Sequence, residues 1–280
     1  MSEAETRPDI FNRHKRRQRR ARMARMDGDA FLNGHLEEEV AERFEDISLP
    51  IETILLIGGH LPQLHARLSQ KATVTLVESS PDIARRYGAI LADEDALLHN
   101  EALQGKKFDA IIWPGGLESV NDIPGALIQC RHLLKPGGVL IGGLIGAGSL
   151  TTLKAALMQA EQNRPVARMH PQIELRAMGD LLLRCGFVLP VVDGHSLTVR
   201  YSSLERLVQD LRESALTNLL AGDSPAFGKA ALAELKRAFS SNADEDGKVR
   251  ETFQFILFSG WTAEGPQPVA PSERGQNLRF

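Results

Sequence analysis

Thr53-Ile54-Leu55-Leu56-Ile57-Gly58-Gly59 is the stretch on which the fold turns. Five residues, four of them large aliphatics, are closed by a glycine pair. That is how a short strand buried on both faces reads. Comparable runs follow at Thr73–Val77, stopping at Glu78, and at Ala89–Leu91, stopping before Asp93. Two more are Phe108–Trp113, closed by Pro114-Gly115-Gly116, and Val139–Leu144, opened by Lys135-Pro136-Gly137-Gly138. Helix-length segments separate the runs. The clearest lies between the last two, with Pro124 near its start and Leu127, Cys130, Leu133 and Leu134 on one face. Apolar strands alternating with helices predict an α/β fold around a parallel sheet.

Beyond Gly148 the pattern turns helical, with segments at Leu150–Gln162, Ala177–Cys185, Ser203–Leu220 and Ala226–Phe239. The third carries Leu204, Leu207, Val208, Leu211, Ala215 and Leu219 at helical spacing, and Ser202 with Glu205 resembles a capping box. Phe187–Val192 and Leu197–Tyr201 read as strands, and Arg250–Trp261 as a final strand returning to the sheet. Upstream, Leu36, Val40, Phe44 and Ile47 predict a short amphipathic helix. Pro266, Pro268 and Pro271 predict a loose tail. The expected organisation is a basic helical arm over 1–35, a main domain over 36–262 and a flexible tail over 263–280.

The chain has 280 residues, 42% hydrophobic and 25% charged, with a net charge of -3. That charge is unevenly spread. Residues 1–25 hold nine basic and three acidic residues, and the remainder twenty-four basic and thirty-three acidic. A cationic arm therefore precedes an acidic body. Over Ile10–Arg25 the charges go all the way round a helix, so no apolar stripe says where it packs. The arm is expected to dock on a partner or an anionic membrane surface, or back on the acidic body, and to be dispensable for folding. With only Phe11 and His14 to stack among the cations, a nucleic-acid reader is disfavoured.

Several classes are excluded or disfavoured. Two cysteines exclude a disulfide framework and any cysteine-rich zinc module. No apolar run approaches the roughly 20 residues of a membrane span. No apolar stretch follows the first charges, so no secretory signal is expected, and the expected compartment is the cytoplasm. None of the eight histidines shows metal-ligand spacing, so no metal is assigned. No Gly-x-Ser-x-Gly turn supports a hydrolase.

In an open parallel sheet, ligands bind beyond the carboxyl ends of the strands. Gly58 and Gly59 let the backbone approach a ligand there. Glu78, about 20 residues on, stands where an acid holds two ribose hydroxyls. Asp93 ends the third strand, where a carboxylate accepts from an adenine amino group. Gly115 and Gly116 leave room over the fourth. These residues, in this order, point to a nucleoside-type ligand. Each also has a structural reading: a plain turn, a helix start at Ser79-Ser80-Pro81, and a solvated acidic run Asp93-Glu94-Asp95.

This order, with Leu134-Lys135-Pro136-Gly137-Gly138, resembles the Rossmann-like S-adenosylmethionine-dependent methyltransferases. A narrower resemblance extends over nearly the whole chain. It is to the methyltransferase-like assembly factors of respiratory complex I, relatives of the malonyl carrier protein methyltransferase of biotin synthesis. Ile10-Phe11-Asn12-Arg13 with the basic helix, Ala92-Asp93-Glu94, Val120-Asn121-Asp122-Ile123-Pro124, Gly179-Asp180-Leu181-Leu182, Cys185-Gly186-Phe187 and Gly260-Trp261 carry it. The resemblance implies a doubly wound, mostly parallel seven-stranded sheet with a last antiparallel strand, and S-adenosylmethionine over the first strand's end. It implies a protein substrate such as a complex I subunit, and a place at the inner membrane's surface. The cofactor-binding residues it implies are Gly58, Gly59, Glu78 and Asp93. No catalytic residue is assigned, since methyl transfer rests mainly on alignment.

The family's first loop, an acid followed by Gly-x-Gly-x-Gly, is altered here. Leu56 stands at the acid's place, and His60 and Pro62 replace the later glycines, so only Gly58 persists. Three functions follow: a methyltransferase with an altered loop, an assembly factor that modifies an arginine, for example by hydroxylation, or a non-catalytic binding module.

Overall fold

The computed structural model describes residues 9–26, 28–58, 62–161, 166–222 and 225–263. The basic helix α1 (Arg13–Met23) and α2 (Phe31–Glu45) precede the first strand. Then come β1 (Thr53–Ile57), α3 (Pro62–Ser69), β2 (Thr73–Glu78), α4 (Pro81–Tyr87), β3 (Ile90–Leu91), β4 (Phe108–Pro114), α5 (Ile123–Leu133) and β5 (Leu134–Ile145). The second half holds α6 (Thr151–Ala160), α7 (Leu175–Arg184), β6 (Val188–Tyr201), α8 (Leu204–Glu213), α9 (Lys229–Ser240) and β7 (Val249–Trp261).

The strands form one seven-stranded sheet in the order β3-β2-β1-β4-β5-β7-β6. From β3 to β5 every pair is parallel, and β7 runs antiparallel between β5 and β6. Alternate residues of each strand feed two cores. Ile54, Leu56, Ala110, Ile112, Val139 and Ile141 meet α2, α3, α6, α8 and α9 on one face. Leu55, Ile57, Ile111, Trp113 and Leu140 meet α5 and α7 on the other. The parallel sheet is the one the apolar runs predict, and the doubly wound order with an antiparallel last strand is the one the resemblance implies. Among the described residues no helix is long and apolar enough to cross a membrane.

Several boundaries differ from the sequence reading. β5 begins at Leu134, because Phe108 pairs with Leu134 before an irregularity lets Ala110 pair with Val139. The two strand pieces after Phe187 are one strand, since Asp193-Gly194-His195 pairs with Leu257-Ile256-Phe255. Gly194 is needed there, because an added Cβ would lie 2.7 Å from the Phe255 carbonyl oxygen. α8 stops at Glu213, well short of Leu220, and Ala215 takes a left-handed φ of 56°. Its cap is Ser203, not Ser202: the Ser203 hydroxyl accepts from the Arg206 amide. α2 starts five residues before Leu36, extending its stripe back to the buried Leu32. Within the expected loose tail, residues 264–280 lie outside the described residues.

At the N-terminus, of the dockings expected for the arm, the structure shows the one back on the body. Ile10 and Asn12 exchange backbone hydrogen bonds with Ala221 and Leu219. The Asn121 side chain bonds both the Phe11 amide (2.8 Å) and the Phe11 carbonyl (3.0 Å). Phe11 is buried and meets the His170 ring edge-on. Asn12 then caps α1, accepting from the Lys15 amide.

Candidate functional site at the strand ends

The strand ends β1, β2 and β4 bring Gly58, Glu78, Gly115 and Gly116 to one edge of the sheet. Gly58 has a φ of 104°, a conformation that favours glycine, and its amide donates to the Val77 carbonyl. Gly59 and His60 lie outside the described residues, and Pro62 opens α3. Leu56 is fully buried in the α2-side core, so the place of the family's acid is occupied by packing.

α1 lies across this edge. Arg13, Arg16, Arg17 and Arg20 fall at i, i+3, i+4 and i+7, one face of a helix. Each meets an acid. The Arg20 guanidinium clamps Glu78 with Nε at 2.7 Å from Oε1 and Nη2 at 2.6 Å from Oε2. The Ser80 amide also donates to Glu78 Oε1. Arg16 gives Nη1 to Glu94 at 2.6 Å and to Ser79 Oγ, Nε to Ser119 Oγ, and Nη2 to the Gly116 carbonyl. Outside these, Arg17 pairs with Asp93 at 2.6 Å, and Arg13 grips Asp95.

The inner pairs are buried: the side chains of Arg20 and Glu78 are 9% and 0% exposed, those of Arg16 and Glu94 8% and 5%. Burial works against the charge on Arg20, and Glu78, with Glu94 and Glu118 farther off, outweighs it, so the Arg20 pKa is raised. Charge-assisted, two-pronged bonds of this kind fix orientation as well as supply energy.

Glu78 and Asp93 thus stand at the predicted strand ends, but both are engaged by α1. Glu94, which reads in sequence as part of a solvated run, is the buried partner of Arg16. Arginines at i, i+3, i+4 and i+7 form a helical stripe of charge, but nothing local in the sequence marks Glu94 as the acid that meets it. What remains open between Arg16, Arg20, Gly58 and Gly116 is about 40 Å³.

A larger cavity of about 390 Å³ adjoins it, sharing Glu118, His170, Ile145 and Leu216. Leu150, Leu153, Leu211 and Phe253 give it apolar walls, and Lys15, Arg19 and Arg168 line it too. Burial pushes the Glu118 carboxyl pKa up, and among the described residues its Oε2 has no hydrogen-bond partner. Burial also lowers the His170 pKa to about 4, and its Nε2 accepts from the Leu219 amide. Cys130 and Cys185 are buried in the core, as is Trp113.

The chain matches no family model. Its fold is shared with the YcgJ protein of Bacillus subtilis, at 11% identity, a TM-score of 0.55, and coverage of 83% of this chain and 100% of that one. A putative methyltransferase of Bacillus halodurans aligns with the same TM-score of 0.55 over 81% of this chain and 99% of its own. In sequence, the chain is 25% identical to a malonyl-[acyl-carrier protein] O-methyltransferase of Halorhodospira halophila, over 95% of this chain and 93% of that protein. It is 28% identical to the mitochondrial arginine-hydroxylase NDUFAF5 of Danio rerio, over 97% of this chain and 88% of the relative. To the Mus musculus protein of that name it is 30% identical, over 95% of this chain and 81% of the relative. With the sheet order, the strand-end acids and the N-terminal helix in place, the chain belongs to the methyltransferase-fold family that includes NDUFAF5.

Proposed function

We propose that this protein uses S-adenosylmethionine and modifies a protein substrate during respiratory complex I assembly, with α1 as a closing element over the cofactor site. The observation that carries this reading is Glu78: an acid at the end of β2, beside Gly58, whose two oxygens are both taken by the chain's own Arg20. As closed, the edge does not fit the cofactor. About 40 Å³ is open and Leu56 supplies no acid for an amino-acid end. With Arg16 and Arg20 withdrawn, Glu78, Asp93 and the backbone at Gly58 are donor and acceptor types suited to a nucleoside. Relatives named for methyl transfer and for arginine hydroxylation both align with nearly the whole of this chain, so the substrate pocket would decide which modification follows.

The test is calorimetric titration of S-adenosylhomocysteine into wild type and Glu78→Gln. Saturable binding to wild type is expected. It should be weakened about tenfold or more in the variant, since hydrogen bonds to a charged acceptor contribute about 1.5–3 kcal/mol. No binding at high ligand to wild type and none to Arg20→Met, a variant with α1 loosened, would overturn the proposal.

A second reading rests on the same ion pairs. Acids that seat two buried guanidinium groups form a guanidinium-binding surface, so an arginine-bearing segment of a partner protein would compete with α1 there. Under that reading an arginine-rich peptide should bind and be displaced by salt, with or without cofactor.

A further inference from the structure

Away from the strand-end site, and among the described residues, one group of side chains has the chemistry and spacing to hold a metal ion: His35 and Glu39 on α2 and His195 on β6. His35 and Glu39 are four residues apart on a helix and so share a face. His195 sits opposite Phe255 of β7, which in turn sits opposite Ile145 at the carboxyl end of β5. A separation of 160 residues keeps the pair out of any local motif.

The two imidazoles face one another through Nε2 at 2.8 Å. One oxygen of Glu39 is 3.9 Å from each of those nitrogens. Phe255 fixes both rings, stacking on His195 with an interplanar angle of 17° and meeting His35 edge-on at 4.8 Å between centroids. The three side chains are 31% to 36% exposed, so an ion can reach them from solvent. Arg43, one turn beyond Glu39, is tied to Asp193 and its charge is compensated.

A lone proton shared between two imidazoles accounts for the ring pair and leaves the carboxylate out of hydrogen-bonding range of both. A cation between them would use all three groups. With metal–nitrogen bonds of about 2.0–2.1 Å, nitrogens at this separation subtend close to a right angle at the metal. A point about 2.1 Å from both nitrogens also lies about 2.1 Å from the Glu39 oxygen as the three atoms stand, which is bonding distance for all three. Two histidines and one carboxylate form a donor set for zinc or ferrous ions that leaves positions open. We propose that His35, Glu39 and His195 bind one divalent first-row transition metal, with water or another ligand completing its shell.

The test uses the full chain, stripped with a chelator and exchanged into metal-free buffer. Zn²⁺ is titrated by calorimetry, and Co²⁺ is added separately and followed by visible absorption. The expected result is saturable binding of one Zn²⁺ per chain, weakened about tenfold or more by His195→Ala and by Glu39→Gln, and unchanged by His65→Ala on α3. Cobalt bands present in wild type should vanish in His195→Ala. If that variant does not fold, His35→Gln and Glu39→Gln carry the same comparison, with circular dichroism confirming their fold. Absence of saturable binding, or binding untouched by loss of these side chains, would overturn the proposal.

Discussion

α1 and α8 are helices of similar length that reach the body in opposite ways. α8 buries Leu204, Leu207 and Leu211, an apolar stripe that water rejects whatever it packs against. α1 buries Arg16, Arg20, Ala21 and Met23, and its docking face is a stripe of guanidinium groups. An apolar stripe announces burial by itself. A charged stripe announces it only once four acids are known to stand opposite, and those acids come from the ends of β2 and β3, more than fifty residues away in the chain. Ion pairs withdrawn from water are weak sources of net stability, because desolvation cancels much of the attraction. Here four pairs along one helix face hold α1 over the strand ends.

The largest expected effect breaks the inner pair on one side only. Arg20→Ala leaves Glu78 buried and unpaired, and should cost about 3–5 kcal/mol of unfolding free energy. Replacing both partners by apolar residues, Arg20→Met with Glu78→Leu, should cost far less. On α8, Leu207→Ala should cost about 3–5 kcal/mol with no partner able to relieve it. Denaturant melts of these variants separate the two kinds of docking. Equal losses for the single and double substitutions at the ion pair would show that charge pairing is not what seats α1.

Acid should loosen α1 before α8. His170, against Phe11, has its pKa lowered by burial to about 4 in the fold, below its unfolded value of about 6.5. The unfolded chain therefore binds more protons between these values. The contribution is fully present above pH 6.5 and declines as pH falls toward 4, by roughly 1.4 kcal/mol at pH 5.5. Unfolding melts from pH 7 to 5 on wild type and His170→Gln check this: the pH slope should be shallower in the variant. A histidine resonance titrating at an ordinary pKa would contradict it.

The smallest effect concerns the outer pairs. Arg13 is partly exposed, so Arg13→Ala should cost only about 0.2–1 kcal/mol. High salt should likewise speed hydrogen exchange along α1 more than along α8, since exposed charges are screened within about 3 Å at 1 M. Equal acceleration of both helices would erase the distinction.

These contrasts explain what was legible in the sequence. Thr53–Ile57 and Phe108–Trp113 could be placed because most of their residues are apolar and buried on both faces of the sheet. Where a paired segment is polar or irregular, as at Asp193-Gly194-His195 or Lys135-Pro136-Gly137-Gly138, the strand was broken or begun too late. Pairing there depends on β7 and β4, not on composition. At the site, Glu78 and Asp93 were found by their distance from a strand, a local property. Glu94 and the His35–Glu39–His195 group were not, because their partners are set by topology alone.

Under the proposed function, Arg20 and the cofactor compete for Glu78. The direct measurement is the affinity for S-adenosylmethionine of wild type against Arg20→Met, a change that removes the guanidinium but keeps much of the side chain's volume, with thermal melts confirming that both remain folded. If α1 closes the site, the variant binds about tenfold or more tightly than wild type, since the ligand no longer has to displace a charged partner. Equal affinity in the two proteins would contradict the account, and would place the ligand somewhere that Arg20 does not guard.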